Sequence, residues 1–175
     1  NPNPKAIVGW SNNFRYKQFT LGVLVDGKFG GKVLSLSEPF YDFYGVSKRS
    51  ATARDAGGVS IANAAIAGGT PFTGKADPQA YYTKTGGRNE IDEAYIYSAT
   101  AIRLRELSLS YRIPVKSKMV SNVTLSAIGN NLFFLKKDAP FDPEQVSGVY
   151  PGGVGVDVFG LPAYRSFGFS LKCGF

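Results

Sequence analysis

The stretch Ser166-Phe167-Gly168-Phe169-Ser170-Leu171-Lys172-Cys173-Gly174-Phe175 alternates with a period of two. Phe167, Phe169, Leu171, Cys173 and Phe175 share one parity, and Ser166, Gly168, Ser170, Lys172 and Gly174 share the other. Successive side chains of a β-strand point to opposite faces, so this is a strand with one apolar face and one small or polar face. The same period recurs upstream. Phe19, Leu21, Val23 and Val25 alternate with Thr20, Gly22, Leu24 and Asp26, of which Leu24 alone breaks the pattern. Val123, Leu125 and Ala127 alternate with Asn122, Thr124 and Ser126, and Val8, Trp10, Phe14 and Tyr16 with Ser11, Asn13 and Arg15. A fifth segment, Ala101 to Ile113, changes phase: Ile102 and Leu104 are even, while Leu107, Leu109, Tyr111 and Ile113 are odd. One extra residue near Arg105-Glu106 restores a continuous face, which predicts a β-bulge there. Pro114 then ends the strand by withholding a backbone donor.

Composition points the same way. The 175 residues include 21 Gly, 10 Pro, 10 Tyr and 13 Phe, which favours strands and loops. There is no His, which removes the commonest general acid/base and imidazole zinc sites. The single Cys, Cys173, closes no disulfide within the chain. Neither a cofactor nor a metal is expected, and the chain does not read as an enzyme. With 20 Lys+Arg against 13 Asp+Glu the formal charge is +7, yet the cations are scattered, with short clusters at Lys48-Arg49, Arg103/Arg105 and Lys136-Lys137. They read as solvated loops and pore walls, not as a nucleic-acid surface. Asp77, Asp92, Glu93, Asp138, Asp142 and Glu144 match no acid-rich metal spacing and read as caps, turns and loop salt bridges.

No stretch approaches the roughly 18 apolar residues of a membrane-crossing helix, but a spanning strand needs about 9–11 with alternate apolar side chains. The connections alternate in length: a tight turn at Lys17-Gln18, a long irregular stretch over 29–94, a short turn after Pro114, and a second long stretch over 135–162. Short turns at one rim and long loops at the other are the pattern of an antiparallel transmembrane barrel. Tyr16, Phe19, Tyr111 and Phe175 then fall at the short-turn rim, and Phe133, Phe134 and Tyr164 near the other, as an aromatic girdle requires. About five strands close no membrane barrel, which takes at least about eight, and an open sheet would leave edges that aggregate. The chain is expected to be part of something larger.

Several stretches resemble the SusC/RagA-type TonB-dependent outer-membrane transporters. Ala94 to Pro114, reading AYIYSATAIRLRELSLSYRIP, is similar to that family's "ASYLRLRELSLSYTLP" strand. Asn1-Pro2, Gly9 to Phe14, Tyr16-Lys17 and Phe19 resemble its hairpin, and Val25 to Gly31 the exit of the second strand. Gly129-Asn130-Asn131-Leu132-Phe133 resembles "GQNLF" with Asn130 in place of Gln, Phe141 to Glu144 resembles "YDPE", and Pro162 to Phe167 resembles the approach to the last strand.

The resemblance implies an all-β chain over residues 1–175: about five C-terminal strands of a barrel of about 22, with extracellular loops at 29–94 and 135–162. It implies import of bulky nutrients, oligosaccharides or peptides, across the outer membrane of a Gram-negative cell. The implied partners are the plug and remaining strands of the same transporter, a SusD-like surface lipoprotein, TonB through the N-terminal part, and the barrel-assembly machinery. Phe175, with Phe167, Phe169 and Leu171, resembles the terminal signal read by that machinery. Ser166, Ser170 and Lys172 are expected to face the lumen. In the first long loop, Phe40, Tyr41, Asp42, Phe43 and Tyr44 combine aromatic faces with a carboxylate, which suits contact with substrate or with the lid. Loop self-packing explains them as well. A soluble β-sandwich carbohydrate-binding module and a passive porin are the alternatives that fit the same strands.

Overall fold

A computed structural model describes residues 1–88, 91–115, 120–146 and 155–174. Phe175 therefore lies outside the described residues, as does part of the turn after Pro114. The elements in chain order are β1 (Ala6–Tyr16), β2 (Phe19–Phe29), β3 (Lys32–Ser35), α1 (Glu38–Phe43), α2 (Lys48–Asp55), β4 (Val59–Ser60), β5 (Lys75–Ala76), α3 (Pro78–Thr85), a 3-10 turn (Asp92–Tyr95), β6 (Ile96–Ser98), β7 (Ala101–Ile113), β8 (Asn122–Lys137), β9 (Val156–Asp157) and β10 (Ser166–Gly174). No helix is long and apolar enough to cross a membrane. The chain divides into two compact units, one of Asn1–Val33, Ser98–Val146 and Gly160–Phe175, the other of Leu34–Tyr97 and Ser147–Phe159.

The first unit is built on the five long strands, which form one antiparallel sheet in the order β1-β2-β7-β8-β10. Each is the next long strand along the chain, so the sheet is an up-and-down meander. The hairpin between β1 and β2 pairs Tyr16 with Phe19, and Lys17 takes a positive φ of 52° to make the turn.

The register sorts the side chains by face. On one face Tyr16, Phe19, Tyr111, Leu125 and Leu171 form a row, followed by Phe14, Leu21, Leu109, Ala127 and Phe169. The Phe19 and Tyr111 rings meet with centroids 4.7 Å apart. Apolar side chains here are not buried within the chain: Phe167, Phe169 and Leu171 are 74%, 84% and 64% exposed. Gly129 leaves room on this face, since a Cβ there would lie 2.8 Å from Leu132.

β7 carries the bulge at Arg105. Leu24 pairs with Glu106 and Val25 with Leu104, so Arg105 has no partner on β2. β8 answers with its own irregularity across from it, where Leu104 pairs with Phe133 and Glu106 with Asn130. Asn131 takes a positive φ of 51°, a conformation its short amide side chain tolerates. Beyond the bulge Leu104 aligns with Val25 and with Phe133, so the apolar face continues.

The second unit is not the irregular loop that its Gly, Ser, Ala and Thr content predicts. Three short helices form because each start is chemically marked. Ser47 Oγ accepts the Ser50 N–H at 3.0 Å, Asp77 Oδ2 accepts the Ala80 N–H at 2.8 Å, and Pro39 and Pro78 fall in the first turns of α1 and α3. β9 runs parallel to β3, with Leu34 opposite Val156 and Ser35 opposite Asp157.

Candidate functional site

The face of the sheet opposite the apolar rows is polar. Arg15, Thr20, Ser110, Ser126 and Ser170 form one row across all five strands, and Ser11, Leu24, Glu106, Asn130 and Ser166 another. Lys172 stands opposite Thr124, which stands opposite Arg112. Hydroxyls bridge the strands: Ser110 Oγ and Ser126 Oγ are 2.8 Å apart, and Asn130 Nδ2 donates to Ser166 Oγ at 3.2 Å. Near the hairpin turn this face holds an open hollow of roughly 390 Å³ lined by Arg15, Lys17, Thr20, Ser110 and Arg112. Ser166, Ser170 and Lys172 thus share one surface, and Phe167, Phe169 and Leu171 the opposite one.

Toward the other end, the bulge puts the adjacent residues Arg105 and Glu106 on the polar face together with Arg103, while Leu104 stays on the apolar one. Arg105 Nε and Nη2 donate to Asp26 Oδ2 at 2.8 and 2.6 Å, Nη1 to Asn131 Oδ1 at 2.9 Å, and Nη2 also to Glu144 at 3.0 Å. Arg103 is 4% exposed; its Nη2 donates to Asp142 Oδ2 at 2.5 Å, and its Nη1 lies 3.2 Å from Glu144 Oε2. Lys28 approaches Glu144 at 3.5 Å. The Arg103 guanidinium also lies over the Phe134 ring, 3.9 Å from its centroid. Phe134 therefore sits on the polar face opposite Arg103, while its neighbour Phe133 stays on the apolar side, because adjacent strand residues point opposite ways.

Asp142 carries the attachment of the second long connection. Besides Arg103 it accepts the backbone N–H of Glu144 at 3.0 Å and of Ala163 at 3.2 Å. Burial pushes its carboxyl upward, but the Arg103 hydrogen bond and the two backbone donors outweigh burial and hold it below the ordinary carboxylate range. The beginning of the loop is thereby fastened to the sheet, and its end is tied to the same carboxylate. Sequence spacing marked Asp142 and Glu144 as loop salt-bridge formers; their partners, 39 residues away in sequence, carry no local signal.

In the second unit, Asp42 is completely buried. Ser47 Oγ donates to its Oδ1 at 2.5 Å, Tyr95 Oη to its Oδ2 at 2.9 Å, and Arg49 donates to Oδ2 through Nε at 2.6 Å and also through Nη2. Burial first, then the Asp42 charge, push the Tyr95 phenol well above its ordinary value, so it stays a donor. Burial lowers the Arg49 guanidinium, but its hydrogen bonds to Asp42 prevail and raise it. This cluster ties α1, α2 and the 3-10 turn together. The α1 surface is made by its aromatics: Tyr41, Phe43 and Tyr44 are exposed, and Phe40 is half-buried. Phe40 and Tyr41 each place a ring 5.9 Å from that of Phe159, and Phe43 meets Tyr44 edge to face at 5.2 Å. Among the described residues, no group of three or more His, Cys, Asp or Glu is placed to hold a metal ion.

No protein-family model matches the chain, and no curated protein matches it. Solved structures do. The chain superposes on a chain of the RagAB peptide importer in its open-open state with a TM-score of 0.63 at 15% identity, covering 99% of this chain and 17% of that one. For the closed-closed state the TM-score is 0.59 at 15% identity, over 97% and 17%. A further structure of the RagAB peptide transporter gives 0.56 at 16% identity, over 93% and 16%. The likeness is one of fold: the meander and its connections are shared almost end to end. The chain spans less than a fifth of the length of those chains.

Proposed function

We propose that this chain is the C-terminal barrel segment of a SusC/RagA-type TonB-dependent transporter in the outer membrane of a Gram-negative cell. The observation that carries the reading is the two-faced meander. Its apolar rows run across five strands and stay exposed, while the opposite face is hydroxyl, amide and charge. Water gives the exposed aromatic and aliphatic side chains no partner, whereas hydrocarbon does, and a barrel lumen is polar. The fold shared with the RagAB importer supports the same reading.

On this reading the protein imports bulky nutrients, peptides or oligosaccharides. Phe167, Phe169 and Leu171 face lipid; Ser166, Ser170 and Lys172 face the lumen. The rest of the transporter supplies the plug, the other strands and the TonB contact, and a SusD-like lipoprotein covers the long loops. Phe40, Tyr41, Phe43 and Tyr44 offer the loop surface to substrate or lid, with Asp42 holding α1 in place from behind.

The test uses the full-length protein in its own cell. Phe169→Lys places a charge toward the bilayer midplane at a cost of about 2–4 kcal/mol. It is expected to reduce the assembled outer-membrane protein sharply, while Ser170→Lys assembles normally. Equal tolerance of the two, or recovery of the full-length protein in the soluble fraction, overturns the reading in favour of a soluble β-sandwich module.

A further inference from the structure

Two hollows adjoin in the second unit, and they repeat one chemistry. The first, about 270 Å³, lies between α1, α2 and α3, walled by Phe43, Tyr44 and Tyr82 with Arg54 and Gln79 at its edge. The second, about 450 Å³, is walled by Phe40, Phe43 and Tyr44 with Lys84 and Arg88 beside them. Phe43 and Tyr44 belong to both, so their edge-to-face pair is the ridge between the two.

The charges are unbalanced toward the cation. Asp42 reaches the first hollow, but it is fully buried and its charge is met by Arg49. Arg54 Nη1 donates to the Gly45 carbonyl at 2.9 Å, which holds the guanidinium in position. Among the described residues Arg54, Lys84 and Arg88 form no ion pair. A positioned guanidinium with free N–H groups suits the planar fork of a carboxylate. Each hollow admits a single sugar ring or amino-acid side chain rather than a whole oligomer, the first lying just below the range for small-ligand sites, about 300–1,000 Å³, and the second in its lower half. Aromatic rings flanking a cation fit a unit that has both a flat or apolar body and a carboxylate.

We infer that this pair of hollows binds an acidic oligomer, one carboxylate-bearing unit at Arg54 and a neighbouring one at Lys84 and Arg88, with Phe43 and Tyr44 between them. This rests on the transporter reading for its role, as the specificity element of the loop. The shared chemistry is the carboxylate; it comes from an acidic peptide or from a uronic-acid chain.

The experiment is calorimetric titration of the purified full-length protein in detergent. The probes are a tetraglutamate peptide, its all-glutamine analogue, a tetragalacturonate and its methyl ester. One acidic probe is expected to bind at least tenfold more tightly than its neutral analogue, and which one does so identifies the source. Arg54→Gln should remove that preference, while Lys48→Gln on the exposed side of α2 should not. Equal affinity for acidic and neutral probes, no binding of any probe, or an unchanged preference in Arg54→Gln overturns the inference. Outer-membrane fractionation of the same protein is scored separately, so loss of the site with normal membrane location leaves the transporter reading standing.

Discussion

Arg103 and Asp142 meet at 2.5 Å with both side chains nearly removed from solvent. Their pairing is worth most as a condition on each other, because a buried charge left alone is what costs energy. Asp142→Asn leaves the Arg103 guanidinium with Glu144 as its remaining counter-charge and is expected to cost about 3 kcal/mol, toward the lower end for a broken buried pair. Loosening should be local, and limited proteolysis of the full-length protein within residues 138–165 reads it. The acid response has a definite sign. The folded Asp142 carboxyl is held below its unfolded value of about 3.9, so its contribution is complete above that pH and lost as pH falls through the lower, folded value. Hydrogen–deuterium exchange of the 138–165 backbone, corrected for the intrinsic pH dependence of exchange, should therefore rise below about pH 4 and not differ between pH 5 and 8; a loop equally protected at pH 2 would contradict the attachment. At this scale the sequence pointed to Asp142 as a salt-bridge former and to Arg103/Arg105 as a cation pair. That the two sets meet was not legible, since no periodicity links residues 39 apart.

The bulge at Arg105 is the element-scale feature on which both faces depend. A strand has a strict period of two, so the phase change between Leu104 and Leu107 requires one residue outside the pairing. Deleting Arg105 should turn Ile102 and Leu104 to the polar face and Arg103 to the apolar one. Outer-membrane levels of the full-length protein are expected to collapse, whereas Arg105→Gln keeps the register and assembles, losing mainly its contacts to Asp26 and Glu144. Comparable assembly of the deletion and the wild type would show that the bulge does not set the faces. This element could be read from the chain because hydrophobic parity records it. The helices of the second unit could not: α1 and α2 are six and eight residues long, too short for a periodic apolar stripe. The local signals are the caps Ser47 on α2 and Asp77 on α3 and the Pro39 that opens α1, and α1 and α2 are held by packing around Asp42 and Tyr95.

Across the molecule, the sheet presents an apolar face that nothing among the described residues covers and two edge strands, β1 and β10, each with one paired side among the described strands. Both conditions are met if further strands continue the sheet in a bilayer. On the proposed transporter reading, β10 also offers an edge to the assembly machinery, and Phe175, outside the described residues, is proposed as its anchor. Removing Phe175 from the full-length protein should lower its outer-membrane level several-fold without altering synthesis; quantitative immunoblotting of membrane fractions checks this, and an unchanged level would dismiss the signal. By itself the sequence determined the strands, their faces, the bulge and the order of short and long connections, because each is written in local alternation or in a breaker such as Pro114. Only the tertiary structure decided where charge goes. It joined Asp26, Arg103, Arg105, Asp142 and Glu144 into one network, buried Asp42 among Ser47, Arg49 and Tyr95, and left Arg54 without a counter-ion among the described residues. Electrostatic partners are set by distance in space, and a two-residue period says nothing about which distant loop returns to which strand.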